Sequence, residues 1–248
     1  MNILARILRR WWAVILIILT WQLAVIVLDV SPFLLPGPFT IIANVADSPG
    51  TFLVPLLMTL RTALIGFVVG VGTGYLAASL TWLWPIFGTV ITPVALVIRS
   101  VPFVALIPIL ATILGYSLTT AWVICAMVCF FPTFVMVGSG LSDVPANGDD
   151  LFTVAGATRW MRYRLLAVPS SLVALATSIR VSAAAAFTAA LISEFLMGVP
   201  GLAVVLNNAL AGLDMTDLWG TALCAILIGV LAYLGANRLE AYAISRWS

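Results

Sequence analysis

The chain has 248 residues, of which 63% are hydrophobic and only 8% are charged. A water-soluble domain of this length could not hide so much apolar surface, so lipid must solvate much of the chain. All 11 basic residues are arginine, and the sequence contains neither lysine nor histidine. This composition excludes histidine-dependent nucleophiles, histidine zinc sites and the lysine-containing phosphate-binding loop. We therefore expect no catalytic residue, no metal site and no ATP hydrolysis in this chain.

The apolar stretches divide residues 1–248, a single transmembrane domain, into six predicted spans. Their approximate limits are 11–28, 55–80, 86–114, 118–140, 169–195 and 218–236. Each is long enough to cross a bilayer at about 1.5 Å per residue. A cleaved signal peptide is the alternative for the first span, but that span is long for a signal peptide and no A-x-A site follows it.

Three breaks interrupt this pattern. The proline- and glycine-rich residues 31–50 predict an extended external loop after the first span. Pro102, three residues after Arg99, predicts a kink or break in the third span because proline removes a helical hydrogen bond. After the fifth span, a Gly-Val-Pro-Gly turn leads into a short apolar stretch, residues 202–211.

Small residues inside the spans favour packing over chemistry. The glycines of the second span are Gly66, Gly70, Gly72 and Gly74, and the cysteines are Cys125, Cys129 and Cys224. Four-residue glycine steps fit close helix packing in a membrane better than phosphate binding. We interpret the cysteines, all in apolar runs, as small buried hydrophobes.

The arginines predict how the spans are oriented. Six spans place both termini on one side of the membrane, and every arginine outside the spans falls on that side. These arginines are Arg6, Arg9, Arg10, Arg159, Arg162, Arg164, Arg238 and Arg246. By the positive-inside rule, this side is the cytoplasmic face of the cell (inner) membrane.

A polar insert, residues 143–168, separates the fourth and fifth spans. Near its start, Pro145-Ala-Asn147-Gly148 predicts a turn and a helix cap. Asp149 and Asp150 then fall in the first helical turn, where carboxylates complement the helix dipole. An apolar face follows, formed by Leu151, Val154 and Ala155. Gly156 allows a sharp bend after this face.

A second short helix is predicted beyond the bend. Thr158 can cap it, and Pro169 suits the first turn of the next span. The polar side of this helix carries Arg159, Arg162 and Arg164. We interpret the two helices as a projection on which a soluble partner docks. An ordinary cytoplasmic loop with positive-inside arginines is the alternative.

Residues 150–169 resemble the EAA motif of ABC importer permeases. Gly156 and Pro169 match the glycine and proline of the motif, and Ala157-Thr-Arg159-Trp resembles its continuation. The departures are Asp150 in place of glutamate, Leu151 and Phe152 in place of two alanines, and Val168 in place of leucine. Other stretches resemble the nitrate, sulfonate, taurine and bicarbonate branch of the family, namely Arg99–Pro108, Ser178–Arg180, Ser193–Phe195 and Pro200–Leu202.

The resemblance implies an all-α membrane protein with the type I ABC importer permease fold. In that family the motif forms a pair of cytoplasmic coupling helices that fit a groove on a separate ATPase. The candidate coupling residues are Asp149, Asp150, Leu151, Val154, Ala155, Gly156, Ala157, Arg159 and Pro169. The implied partners are a second permease subunit, identical or paralogous, two ATPase subunits and an extracytoplasmic binding protein, besides lipid and without nucleic acid. The chain itself would hold no cofactor, since the ATPase would bind ATP and magnesium.

Four charged residues lie within spans or at their ends: Arg61, Arg99, Arg180 and Glu194. A charge at the centre of a membrane helix costs about 2.5–3.5 kcal/mol even on the lenient insertion scale, so each should face protein or water. One interpretation is a positive pathway for a small anion such as nitrate, bicarbonate or a sulfonate. The other is structural pairing, with Glu194 neutralising an arginine.

The stretch 202–211 contains Leu202, Asn207 and Asn208. It predicts a short helix across the outer mouth, which acts either as a gate or as an interfacial plug.

These features predict the permease subunit of an ATP-driven importer that moves a small anionic solute by alternating access. One alternative is an autonomous secondary transporter or channel, although such proteins usually show two related halves with matched broken helices. A permease for a non-anionic solute, such as a thiamine precursor or an aromatic compound, is another. A scaffold without transport is disfavoured by the intramembrane arginines.

Overall fold

The computed structural model describes residues 3–247. The side chains of residues 3–11, 146, 149, 239, 243, 246 and 247 are not among those described. The predicted roles of the Asp149, Arg6, Arg9, Arg10 and Arg246 side chains therefore fall outside the description.

All regular secondary structure in the described range is helical, as predicted. The helices are α1 (Ile3–Val27), α2 (Pro38–Asp47), α3 (Pro49–Leu83), α4 (Pro85–Ser100), α5 (Phe103–Leu114), α6 (Leu118–Ser142), α7 (Ala146–Val154), α8 (Arg159–Arg162), α9 (Val168–Met197), α10 (Leu202–Gly212) and α11 (Met215–Trp247). A π-helical turn, Tyr163–Ala167, joins α8 to α9.

Four helices are long and apolar enough to cross a membrane: α3, α6, the continuous helix Arg159–Met197, and Met215–Tyr242 within α11. A fifth candidate is the pair α4 and α5, which is bent by 104°. Trp12–Val27 of α1 is a shorter apolar helix. The predicted break near Pro102 is confirmed, because Val101 is extended (φ −87°, ψ 126°), as a residue before proline prefers.

Two regions are more helical than predicted. Residues 31–50, predicted to be an extended loop, contain α2, whose first turn holds Pro38. Asn44 Nδ2 of α2 donates a 2.7 Å hydrogen bond to Asp217 Oδ1 of α11. At the other end of the chain, α11 continues well beyond the predicted limit of residue 236. Glu240 therefore lies in a helix and not in a terminal tail.

The core is built on α6, which packs between α3 and α9. A Cβ at Gly66, Gly70 or Gly74 of α3 would overlap α6, whereas one at Gly72 would meet nothing within 4 Å. The predicted packing role of this cluster therefore holds for the three glycines spaced by four residues. Cys125 and Cys129 are buried, and their thiols point to the carbonyl oxygens of Ala186 and Ser182 in α9.

Candidate coupling segment and transport pathway

The polar insert, residues 143–168, is the candidate coupling segment. Its first helix, α7, begins at Ala146, so the predicted cap residues Asn147 and Gly148 lie inside the helix. At the end of α7, Gly156 has a φ of +67°, a left-handed conformation that favours glycine. The Ala157 N–H donates to Phe152 O (2.9 Å) and the Gly156 N–H to Thr153 O (3.1 Å), the bond pattern of a Schellman motif. The predicted sharp bend at Gly156 is therefore a helix C-terminal cap.

The second half of the coupling segment runs without interruption into the membrane. Thr158 caps α8, as its Oγ1 accepts a 3.3 Å bond from the Met161 N–H. The π turn follows, and within it the Val168 N–H bonds to Tyr163 O. Pro169, the second residue of α9, follows the π turn directly. As a result α8, the π turn and α9 form one helix, Arg159–Met197.

Large apolar side chains of the coupling segment are exposed. Val154 is 88% exposed and Leu151 66%, and both lie on α7. Beyond the bend, Trp160, Met161 and Leu165 are also exposed. A contiguous apolar surface on a polar projection is typical of a protein contact site.

The coupling segment is tied to the end of α3. Buried Tyr163 donates a 2.8 Å hydrogen bond from its hydroxyl to Ser79 Oγ, and its ring packs on Trp82. Arg159 Nη2 donates a 2.7 Å bond to the Trp82 carbonyl oxygen, and its guanidinium lies over the Trp82 ring. Sequence reasoning did not find these partners. In sequence, Trp82 and Trp84 at the end of α3 are typical of a membrane interface and do not indicate a contact with Arg159 or Tyr163.

The intramembrane charges pair differently from the prediction. Arg180 Nε lies 2.9 Å from Glu240 Oε2, and Thr177 Oγ1 donates a 2.8 Å bond to Glu240 Oε1. Glu194, which one of the two interpretations paired with an arginine, accepts a 2.6 Å hydrogen bond at Oε2 from Thr59 Oγ1, and the ion pair described within the spans joins Arg180 to Glu240 instead. Glu240 was missed because it was assigned to a tail outside the last span.

Arg99 and Arg61 differ from Arg180 in their surroundings. Both side chains are exposed, and within the described part of the chain no carboxylate pairs with either of them. The Arg99 guanidinium lies over the Phe131 ring, 4.9 Å from its centroid. Arg99 and Phe131 line a cavity of about 270 Å³ at the break between α4 and α5. Arg61 is not part of this cavity.

The predicted short helix after the fifth span is α10. Leu202 is buried at its start, and its N–H donates a 2.8 Å bond to Thr59 Oγ1. Asn207 Nδ2 donates a 3.1 Å bond to Phe195 O at the end of α9, while Asn208 is exposed. Helix α10 is therefore folded back against α3 and α9.

Several known proteins are similar to this chain in sequence or in fold. The family model for the binding-protein-dependent transport system inner membrane component matches residues 70–248, more than half of the chain. The chain is 25% identical to the formylaminopyrimidine transport permease protein ThiX of Halalkalibacterium halodurans, over 91% of this chain and 90% of that protein. It is 29% identical to the riboflavin transport system permease protein RibX of Chloroflexus aurantiacus, over 94% and 87% respectively.

A putative aliphatic sulfonates transport permease protein, SsuC of Bacillus subtilis, is 24% identical over 78% of this chain and 71% of that protein. The solved structure of an amino acid ABC transporter shares the fold with a TM-score of 0.66 at 16% identity, covering 82% of this chain and 97% of the other. This chain therefore belongs to the binding-protein-dependent transport system inner membrane components, the multi-pass permeases of ABC importers, and is a non-catalytic transport subunit whose ATPase is a separate chain.

Proposed function

We propose that the coupling segment is the surface through which a separate ATPase drives this permease. The observation that supports this proposal is the capped bend at Gly156. The exposed side chains of Leu151 and Val154 lie before the bend, and the helix Arg159–Met197 begins after it. ATP and magnesium are bound by the ATPase, and this chain supplies no cofactor ligand.

The contacts of the coupling segment give a route for movement. Tyr163 and Arg159 attach the segment to the inner end of α3, while α8 and the π turn attach it to α9. A displacement of the bend therefore moves the two helices that flank α6 in the core. Alternating access follows when this motion opens one end of the pathway and closes the other.

Substitution of Gly156 tests the proposed coupling role of the segment. A Cβ there would meet nothing within 4 Å in this chain, so a substitution acts on the fold of the segment through its backbone conformation. A β-branched residue resists a positive φ, whereas asparagine tolerates it. We expect Gly156→Val to abolish solute uptake and the coupling of ATP hydrolysis to the binding protein, while the amount of protein in the membrane is unchanged.

Gly156→Asn is the matched control and should retain most of the uptake. Normal uptake by Gly156→Val, with the ATPase still bound, would remove the coupling assignment.

The proposed assembly contains two permease subunits, identical or paralogous, two ATPase subunits and an extracytoplasmic binding protein. The exposure of Arg61 supports a second subunit or a water-filled path on that face, because an arginine that faces lipid is unfavourable. The arginine distribution supports a cytoplasmic location of both termini and of the coupling segment in the inner membrane.

We propose a small anion with an apolar body, such as an alkyl sulfonate, as the solute. Arg180 is neutralised by Glu240, so the unpaired guanidinium of Arg99 is the stronger candidate for an anion contact. The cavity beside Arg99 is otherwise lined mainly by apolar side chains, which suits an apolar body. A neutral aromatic solute is the second candidate, because the Phe131 ring lies in the same cavity.

We assign α10 as the outer gate. It follows the outer end of α9 directly, and the turn at Gly198, which is left-handed, folds it back over the helix ends. Leu202, Asn207 and Asn208 are its candidate gating residues.

A further inference from the structure

Glu194, near the outer end of α9, is fully buried. Its Oε2 accepts a 2.6 Å hydrogen bond from Thr59 Oγ1, and the backbone N–H of Ala203, in the first turn of α10, also interacts with the carboxyl group. A fully buried carboxyl group in a membrane span is unfavourable, so its presence requires an explanation. An ion pair between Glu194 and Arg180 of the same helix does not explain it, because Arg180 pairs with Glu240.

The chain segment that enters α10 lies directly on this carboxyl group. A Cβ at Gly201 would overlap the carboxyl carbon and both oxygens of Glu194. The backbone of Gly201 is extended (φ 164°), a conformation open to any residue, so glycine is needed here for space alone. This close approach brings the positive N-terminal end of α10 against the carboxyl group.

Thr59 of α3 completes the contact. The first N–H groups of a helix have no partner within that helix, and Gly201 has no side chain with which to cap α10. The Leu202 N–H donates to Thr59 Oγ1 (2.8 Å), and the same hydroxyl donates to Glu194 Oε2. Thr59 thus caps α10 from a different helix and is itself oriented by Glu194.

We propose that Thr59 and Glu194 form a latch that holds the outer gate closed. The inference rests on the proposed function of α10 as that gate. When the outer side opens, α10 leaves α3 and the bond between Thr59 and the Leu202 N–H breaks. Thr59 and Glu194 act as positioning residues and need not contact the solute.

A cysteine placed under α10 reports whether the latch is closed. Ala209 is buried on α10, and the three native cysteines are also buried, so the parent protein gives a low background. The complete importer carrying Ala209→Cys is reconstituted and treated from outside with a charged, membrane-impermeant maleimide. Adding Thr59→Val removes the hydroxyl while keeping the shape of the side chain. We expect labelling of the introduced thiol to rise several-fold, up to about tenfold, the effect of losing a neutral hydrogen bond.

Two controls accompany this variant. Thr59→Ser restores the hydroxyl and should return labelling to the parent level. Thr73→Val changes the same residue type on α3, where the hydroxyl bonds only to Val69 and Gly70 of its own helix, and should leave labelling unchanged. If Thr59→Val does not accumulate in the membrane, Glu194→Met replaces it, since this variant keeps the length of the side chain and removes both oxygens that contact Thr59 and α10. It should also raise labelling.

Measurements of ATP hydrolysis and of solute uptake in the same vesicles distinguish failure of the latch proposal from failure of the gate assignment. We expect Thr59→Val to raise ATP hydrolysis in the absence of the binding protein and to lower uptake. Labelling that stays at the parent level would overturn the latch whatever the uptake. Raised labelling with parental uptake and parental dependence of hydrolysis on the binding protein would support the contact and overturn the assignment of α10 as a gate.

Discussion

At the scale of single residues, a charge within a membrane span is explained by what surrounds it. Arg180 has a carboxylate at 2.9 Å, and that carboxylate is held by Thr177, so the three side chains form a structural cluster. Arg99 has an aromatic ring below it and a cavity beside it. The sequence alone gave both arginines the same two interpretations, and their neighbours separate them.

This difference makes Arg99 the residue that tests the charge of the solute. If an anion passes the cavity, Arg99→Gln should lower its uptake by about tenfold or more, since a charge-assisted hydrogen bond is lost. The measurement is uptake of an alkyl sulfonate, nitrate and a neutral pyrimidine by cells that express the complete importer. Arg238→Gln removes the same charge from an exposed position on α11 and serves as the control. Transport of a neutral solute that is indifferent to Arg99→Gln would contradict the anion proposal.

At the scale of helices, the close packing of α3 against α6 requires glycine at the contact. A Cβ at Gly70 would lie 2.6 Å from Cys129 Cβ and still closer to the Ala126 carbonyl oxygen, so Gly70→Ala must push the helices apart. We expect it to destabilise the protein by about 1–3 kcal/mol, the usual effect of overpacking. Thermal unfolding of the purified protein in detergent measures the change.

Gly72→Ala is the matched control on the same helix. A Cβ there meets nothing within 4 Å, so its melting temperature should be at or above that of the parent. Equal melting temperatures for the two variants would show that α3 and α6 do not pack as described.

Helix positions were predictable where one physical signal dominated. Apolar length identified α3, α6, α9 and α11, and Pro102 identified the break between α4 and α5. Helix α2 was missed because the prolines of residues 31–50 suggested a loop, although Pro38 occupies a first turn where proline fits. The end of α11 was missed because hydropathy falls after residue 236, whereas helical hydrogen bonding continues to residue 247.

The site was predictable where its features are local. The bend at Gly156 and the Thr158 cap depend on neighbours in the chain, and both were predicted correctly. The bonds of Tyr163 to Ser79 and of Glu194 to Thr59 join residues 84 and 135 positions apart. A single sequence holds no signal for such pairs.

At the scale of the whole molecule, the direction of insertion determines which end of the helices meets the ATPase. The positive-inside distribution predicts that the C-terminus is cytoplasmic and that the turn between α5 and α6 is external. Single cysteines at Tyr116, in that turn, and at Ser245, near the C-terminus, test this, because both positions are exposed and the native cysteines are buried. In intact cells an impermeant maleimide should label Tyr116→Cys at once and Ser245→Cys only after permeabilisation. The reverse pattern would place the coupling segment outside the cell.

The helix Arg159–Met197 contains 39 residues, about 58 Å at 1.5 Å per residue, nearly twice the roughly 30 Å thickness of the hydrocarbon layer. Tyr163 lies near one end of it and Glu194 near the other. A helix of this length can couple the two faces of the membrane, and any such coupling is reciprocal. Whatever factor nucleotide binding inside applies to the affinity for the loaded binding protein outside, that protein must apply the same factor to nucleotide affinity.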